Sequence, residues 1–237
     1  MRVAITTVPE RRAVLIRLRS QLQRALPDTP VDVWVDHRHR GVWWNVTRAL
    51  RHAVGHEQHT LVLQDDALLF EVFERHIHVV AKHVDNVGLV SLFTPPRKRN
   101  IELWERGYNS LAGHDFMWAP AYIVNHRFAR LVLALDRYLD KQQVGQHDEV
   151  RYRVAAQFHD IPLVTLLGSL VQHDIGVRST FGTAGKVGGT VRQTTVVATE
   201  ESCFKHLRPA IHRTQADLKY LLPEANDVSP EPWGWAF

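Results

Sequence analysis

Residues 60–66 read Thr-Leu-Val-Leu-Gln-Asp-Asp, an apolar run that ends in two adjacent carboxylates. Thr60 to Leu63 suit a strand buried on both faces. Asp65 and Asp66 then stand at its C-terminal end, the edge of an open α/β sheet where ligands bind. Two carboxylates so close repel each other unless positive charge lies beside them. A hard divalent cation carrying phosphate oxygens meets that need. The plainer alternative is a polar strand exit, with Asp66 capping a helix that begins near Ala67.

The surrounding elements would have to place that pair. Val3–Thr7 reads as a first strand, followed by a loop through Pro9. Val14, Leu15, Leu18, Leu22 and Leu26 recur at helical spacing, which predicts a helix over 12–26. Val31–Asp36 is a second strand ending in a carboxylate, and 42–54 a second helix. Leu68 to His83 reads as a helix and Val87–Phe93 as a strand. The alternation over residues 1–93 predicts a mostly parallel central sheet with helices on both faces. Beyond it, Pro95 to Gly113 reads as a polar loop. Phe116–Val124 reads as a strand that Pro120 places at an edge or bulge. Helices are expected over 127–139 and 149–158, and a strand over Ile161–Leu167. Residues 182–190 hold four glycines and are expected to form a mobile loop. Phe204–Leu222 reads as a helix broken near Pro209, and the chain closes in a Pro/Trp-rich tail.

Composition sets limits. At 237 residues, with 45% apolar and 23% charged residues, the chain is the size and type of one globular domain. The single Cys203 excludes an intramolecular disulfide and a Cys-based zinc cluster. No apolar run approaches the ~20 residues of a membrane span, and no signal-like segment opens the sequence, so a cytoplasmic location is expected. The formal net charge is +4. Basic clusters at Arg38–Arg40, Arg48–Arg51, Arg97–Arg99 and Arg127–Arg130 suit phosphates of a nucleotide, a nucleic acid or a lipid surface, or simply a solvated face.

Gln64-Asp65-Asp66, His147-Asp148-Glu149 and the run Leu170-Val171-Gln172-His173-Asp174-Ile175-Gly176, with Ser179 after it, occur in the order and spacing of a known family. The chain resembles GT-A fold glycosyltransferases that use nucleotide-sugar donors, of the bacteriophage or bacterial type. Gln64 stands where the strict Asp-x-Asp motif of that family has an acid. The resemblance covers residues 1–180, read as one GT-A (Rossmann-like) domain. Residues 181–237 are read as a Gly-rich loop and helical tail packed on it.

The resemblance implies an enzyme that moves a sugar from a nucleotide diphosphate sugar, with UDP as the expected nucleotide, to an acceptor hydroxyl. It implies Mn²⁺ or Mg²⁺ held by Asp66 and His173, with Asp65 nearby. Asp148 or Glu149 would serve as general base in a single displacement with inversion. Thr6, Thr7 and Val8 would meet the nucleoside. Arg11, Asn45, Arg48, Lys186 or Arg192 would contact the donor, and Asp36 the ribose. Asp36 has the alternative reading of a turn residue, Asp148 of a helix N-cap, and Glu149 of a charge favoured by the helix dipole. The acceptor is open between a hydroxymethylated base in phage DNA and a surface or lipid-linked glycan. A nucleotide- or nucleic-acid-binding module with structural Asp65 and Asp66 is the non-enzymatic alternative.

Overall fold

The computed structural model describes residues 1–113, 120–141, 148–177, 186–187, 190–191, 193–194 and 196–212, and every structural statement concerns these. The chain starts with β1 (Arg2–Thr7), a short 3₁₀ turn at Pro9–Arg11 and α1 (Arg12–Ala25). Then come β2 (Val31–Val35), α2 (Val42–His56), β3 (Thr60–Gln64), β4 (Ala67–Leu69) and α3 (Phe73–Ala81). The middle of the chain forms β5 (Leu89–Ser91), α4 (Lys98–Glu105), β6 (Ser110–Gly113), β7 (Ala121–Val124) and α5 (His126–Lys141). It continues through α6 (Asp148–Phe158), β8 (Leu163–Leu166), β9 (Val171–His173), β10 (Lys186–Val187), β11 (Thr190–Val191) and β12 (Pro209–His212).

Eight strands form one mixed sheet in the order β12-β6-β8-β5-β7-β3-β1-β2. Pairing is parallel at β1–β2, β1–β3, β5–β8 and β6–β12, while β7 runs against β3 and β5, and β6 against β8. Helices cover both faces, so this is a Rossmann-like α/β domain. The alternation of side chains along each strand feeds two cores. Leu61 and Leu63 pack with Leu18 and Leu22 of α1 and with Phe73, Ile77 and Val80 of α3. Val62 between them packs on the other face with Val46 and Leu50 of α2, Phe128 and Val132 of α5 and Tyr152 of α6.

Four expectations change. Ala67–Leu69 is not the start of a helix but a strand, paired antiparallel with Val171–His173. Local periodicity reads Leu68–His83 as one helix, yet backbone pairing to a partner a hundred residues away takes the first turn. The stretch 95–113 is not all loop: it contains α4 and β6. β7 is not an edge strand, since β3 and β5 flank it. Pro120 stands just before it; its carbonyl accepts the Gln64 N–H at 2.8 Å, and its missing donor falls at the end of the ladder rather than within it. Within the expected helix over 204–222, residues 209–212 form the outer strand β12, where Pro209 is tolerated as the first residue of an edge. The remainder of that helix and the Pro/Trp-rich tail, 213–237, lie outside the described residues.

Gly88 lies where α5 crosses the sheet. A Cβ there would stand 2.8 Å from Phe128 Cγ and 2.9 Å from Ile161 Cγ2. Gly88→Ala is therefore expected to destabilise the fold by about 1–3 kcal/mol through overpacking. Chemical denaturation of the variant checks this, and an unchanged midpoint would mean that α5 shifts freely.

Candidate active site

The C-terminal ends of β1, β2 and β3 meet at one edge, because all three run parallel in register. Asp65 and Asp66 follow β3 directly, and both are buried. Asp65 is held by two donors: the Thr7 hydroxyl reaches Oδ2 at 2.5 Å and Arg11 Nη1 reaches Oδ1 at 2.6 Å. The same Nη1 lies 3.3 Å from Asp66 Oδ2. The positive charge that two adjacent carboxylates call for is thus supplied within the chain, by the guanidinium at the start of α1. Burial pushes the Asp65 carboxyl above its ordinary pKa, and the Arg11 charge opposes that rise.

The β4–β9 ladder completes the cluster. Ala67 is the register partner of His173, and the Asp174 N–H donates to the Asp66 carbonyl at 2.8 Å. His173 Nε2 consequently lies 3.5 Å from Asp66 Oδ2, with both side chains buried. Asp66 Oδ1 is buried and accepts no hydrogen bond among the described residues. That is the kind of acceptor a cation would satisfy, and the carboxylate–imidazole pair suits Mn²⁺ in chemistry. Among the described residues no group of three or more His, Cys, Asp or Glu is placed to hold a metal. Two protein ligands are enough only where substrate phosphates and water fill the remaining positions. Asp66 and His173 fit that role. Arg17 of α1 pairs with Asp174 at 2.7 Å and adds a second cation beside the cluster. Nothing in the sequence pattern singles out Arg17, because its partner depends on the β4–β9 ladder.

The β2 side of the edge is more occupied by its own structure. The Asn45 amide donates to the carbonyls of Thr7, at 3.2 Å, and Trp34, at 2.7 Å, tying the ends of β1 and β2 together. Arg48 donates to the Val35 carbonyl at 3.1 Å, and its guanidinium lies between the rings of Trp34 and Trp44, 5.0 and 4.8 Å from their centroids. Asp36 accepts the N–H of Arg38 at 3.3 Å and of Gly41 at 2.9 Å. Burial raises the Asp36 pKa, but these backbone donors, with that of Arg40, outweigh it and leave the carboxyl below its ordinary value. Thr6 and Thr7 are buried and Val8 half-buried at the turn into Pro9. The structure therefore brings together Thr7, Arg11, Asp65, Asp66 and His173. Asn45 and Asp36 adjoin them through the Thr7 carbonyl, which accepts the Asn45 amide and the Asp36 N–H, and Arg48 adjoins through Asn45 Oδ1, 3.4 Å from its Nη1.

Asp148 and Glu149 head α6, on the sheet face that carries α2 and α5. Asp148 is buried; its Oδ1 accepts the Glu149 N–H at 3.1 Å, and its Oδ2 has no hydrogen-bond partner among the described residues. Burial holds the Asp148 carboxyl well above the usual carboxylate range, and the Glu149 charge adds to the rise. Tyr122 and Tyr152 lie close by, their hydroxyls 2.9 Å apart and their pKa values raised by burial. Glu149 is half-buried. Lys186 lies in β10, which pairs antiparallel with β11 inside the stretch read as a glycine-rich loop. His147, Ser179, Arg192 and residues 182–185 and 188–189 lie outside the described residues.

The raised Asp148 pKa carries a stability consequence. The folded state binds this proton more tightly than the unfolded chain, so Asp148 costs stability progressively as pH rises from its unfolded pKa, 3.8, to its folded one. Asp148→Asn removes that cost. It is expected to raise the melting temperature at pH 7–8 relative to the parent, with the gain vanishing near and below pH 3.8. A gain of equal size at both ends of the pH range would show that the carboxyl is ionised as readily in the fold as in water.

No family model and no curated protein matches the sequence significantly. Several solved structures are distantly similar to it. One is A197 from STIV, 14% identical, covering 85% of this chain and 99% of that one with a TM-score of 0.45. Another is mannose-1-phosphate geranyltransferase from Thermus thermophilus, 11% identical over 70% of this chain and 74% of that one, TM-score 0.42. A third is the galactosyltransferase LgtC in complex with donor and acceptor sugar analogs, 11% identical over 67% and 70%, TM-score 0.37. All three likenesses are distant ones of overall fold. No helix among the described residues is long and apolar enough to cross a membrane.

Proposed function

We propose that the protein transfers a sugar from a nucleoside diphosphate sugar, UDP-linked in the first instance, to an acceptor hydroxyl. The observation that carries this reading is the Asp66–His173 pair: a long-range ladder brings a buried imidazole to a buried carboxylate whose Oδ1 is unsatisfied, at the ligand-binding edge of the sheet. Asp66 and His173 would hold Mn²⁺ or Mg²⁺ together with the donor diphosphate. Such an ion supplies Lewis-acid stabilisation of the charge that gathers on the leaving phosphates. Thr7 and Arg11 fix Asp65 so that it flanks the donor without turning into the site. Arg11 and Arg17 offset part of the charge of Asp65, Asp66 and Asp174, and a divalent cation would offset the rest and let an anionic ligand approach.

Asp148 takes the acceptor proton in this proposal, with Glu149 as its alternative. A carboxylate whose pKa is raised by burial is, in its ionised form, a stronger base than an exposed one. Direct attack by the acceptor gives inversion at the anomeric carbon. Asp148→Asn is expected to bind donor as the parent does and to lose turnover. Normal turnover with weakened donor binding would remove it from the chemistry. The acceptor we favour is a hydroxymethylated base in DNA, since Arg97, Lys98 and Arg99 are exposed at the head of α4 and Arg38 and Arg40 at the end of β2. That base would have to leave the stack for its hydroxyl to reach the donor.

A thermal-shift panel of nucleoside diphosphates and nucleotide sugars with Mn²⁺, followed by mass spectrometry of candidate acceptors, tests the proposal. The expected result is a melting-temperature rise that needs both nucleotide and Mn²⁺. A rise with DNA alone, indifferent to nucleotide, would make the protein a binding module. Sugar added to a glycan but not to modified DNA would keep the transfer and replace the acceptor.

A further inference from the structure

The last two turns of α2 carry His52 and His56, four residues apart and therefore on one face of the helix. Their Nε2 atoms are 3.1 Å apart, with ring centroids 4.4 Å apart and planes at 72°. Two imidazole nitrogens this close do not both turn bare lone pairs on each other. Either a proton lies between them or a cation does. The surroundings of His52 prepare its Nε2 to act as a ligand. Its Nδ1 faces Asp32 Oδ2 at 3.5 Å. Asp32 is anchored in turn by Arg2, Nε at 3.3 Å and Nη2 at 3.0 Å. A carboxylate on one ring nitrogen keeps the proton there and leaves the other nitrogen as a ligand, the arrangement that orients metal-binding histidines. The Trp34 ring meets His52 edge-on, with centroids 5.4 Å apart, and holds its plane from the side.

The distance fits as well. Metal–imidazole bonds run about 2.0–2.1 Å, so two of them spanning the 3.1 Å gap meet at roughly 100°, between the square and tetrahedral angles. The carbonyls at the end of α2 add a field that favours positive charge. Asp32 is level with Ala4, and Ala4 with Val62, whereas Asp66 lies about 13 Å further along the strand direction. This place is separate from the proposed active site.

We propose that His52 and His56 chelate a late first-row divalent cation, Zn²⁺, Ni²⁺ or Cu²⁺, with water in the remaining positions. Imidazole pairs select these ions over Mn²⁺ and Mg²⁺. The bound ion would clip the end of α2, through His52 and Asp32, to β2, which lies at the edge of the sheet.

The test titrates Zn²⁺ into the full chain against a chromophoric chelator, in the wild type and in the Asp66→Ala variant, while imidazole ¹H–¹⁵N spectra report the ring nitrogens. In both backgrounds His52→Ala and His56→Ala are expected to weaken Zn²⁺ binding by at least about tenfold. His78→Ala, at an exposed histidine of α3, is expected to leave it unchanged. The Nε2 resonances of His52 and His56 should move together on Zn²⁺ addition, and equimolar Mn²⁺ should not reverse the shift. His56→Gln keeps a polar side chain on the helix without an imidazole and serves as a second variant should an alanine variant unfold. Unmoved Nε2 resonances, or a loss in the His78 variant equal to that in the His52 and His56 variants, would overturn the proposal.

Discussion

Asp66→Ala is expected to lower the rate of sugar transfer by about a thousandfold or more, a loss of about 4 kcal/mol of transition-state stabilisation, and to remove the Mn²⁺-dependent response to nucleotide. The fold should survive. The Asp66 carbonyl, not its side chain, receives the Asp174 N–H, so the β4–β9 ladder stays closed. Arg11 keeps its 2.6 Å contact with Asp65, and a buried carboxylate oxygen without a partner is removed. The stability change should lie within about 1 kcal/mol, a shift of no more than roughly 4 °C. Steady-state transfer assays and melting curves with nucleoside diphosphate, with and without Mn²⁺, measure both parts. Wild-type turnover in Mn²⁺ would sink the metal assignment. Unfolding of the variant would instead make the carboxylate a structural group.

Arg151→Ala is expected to have the largest effect on stability. Arg151 is fully buried in α6 and pairs with Asp136 of α5 at 2.5 Å. Asp136 also accepts the Trp43 indole N–H at 2.6 Å, and the guanidinium lies 5.0 Å from the centre of the Trp43 ring. One cation thus joins α6 and α5 to α2. Removing it strands the Asp136 charge, and breaking a buried pair in this way costs about 3–5 kcal/mol. For a chain of this length that lowers the melting temperature by roughly 6–20 °C. Because Asp148 and Glu149 stand one turn earlier on α6, activity should fall along with stability. A loss of less than about 2 °C would mean that water reaches Asp136 and screens it. In that case α6 is held by its apolar contacts alone.

Both predictions rest on side chains whose roles differ in how far local sequence reveals them. Asp66 is legible because an apolar run ending in carboxylates marks a strand exit wherever it occurs. His173 is nameable only through the resemblance that its motif carries. Arg151 leaves no mark: an arginine in a helix reads as solvated, and only the packing of three helices shows it buried. Arg11 reads as a phosphate contact from its place in the first loop, and its pairing with Asp65 and Asp66 shows only in the fold.

Local sequence dictates the strand–helix alternation of β1, α1, β2, α2 and β3, and with it the edge where Asp65 and Asp66 emerge. Side-chain periodicity and turn residues are local, so they survive in the chain's order alone. Three features arise only on folding: β4 is a strand, β7 enters the middle of the sheet antiparallel, and 209–212 closes its far edge. Each of these depends on backbone hydrogen bonds to partners distant in sequence. Backbone groups are the same in every residue, so pairing between remote segments imprints no local pattern. For the same reason His173 joins Thr7, Arg11, Asp65 and Asp66 only after β9 has found β4.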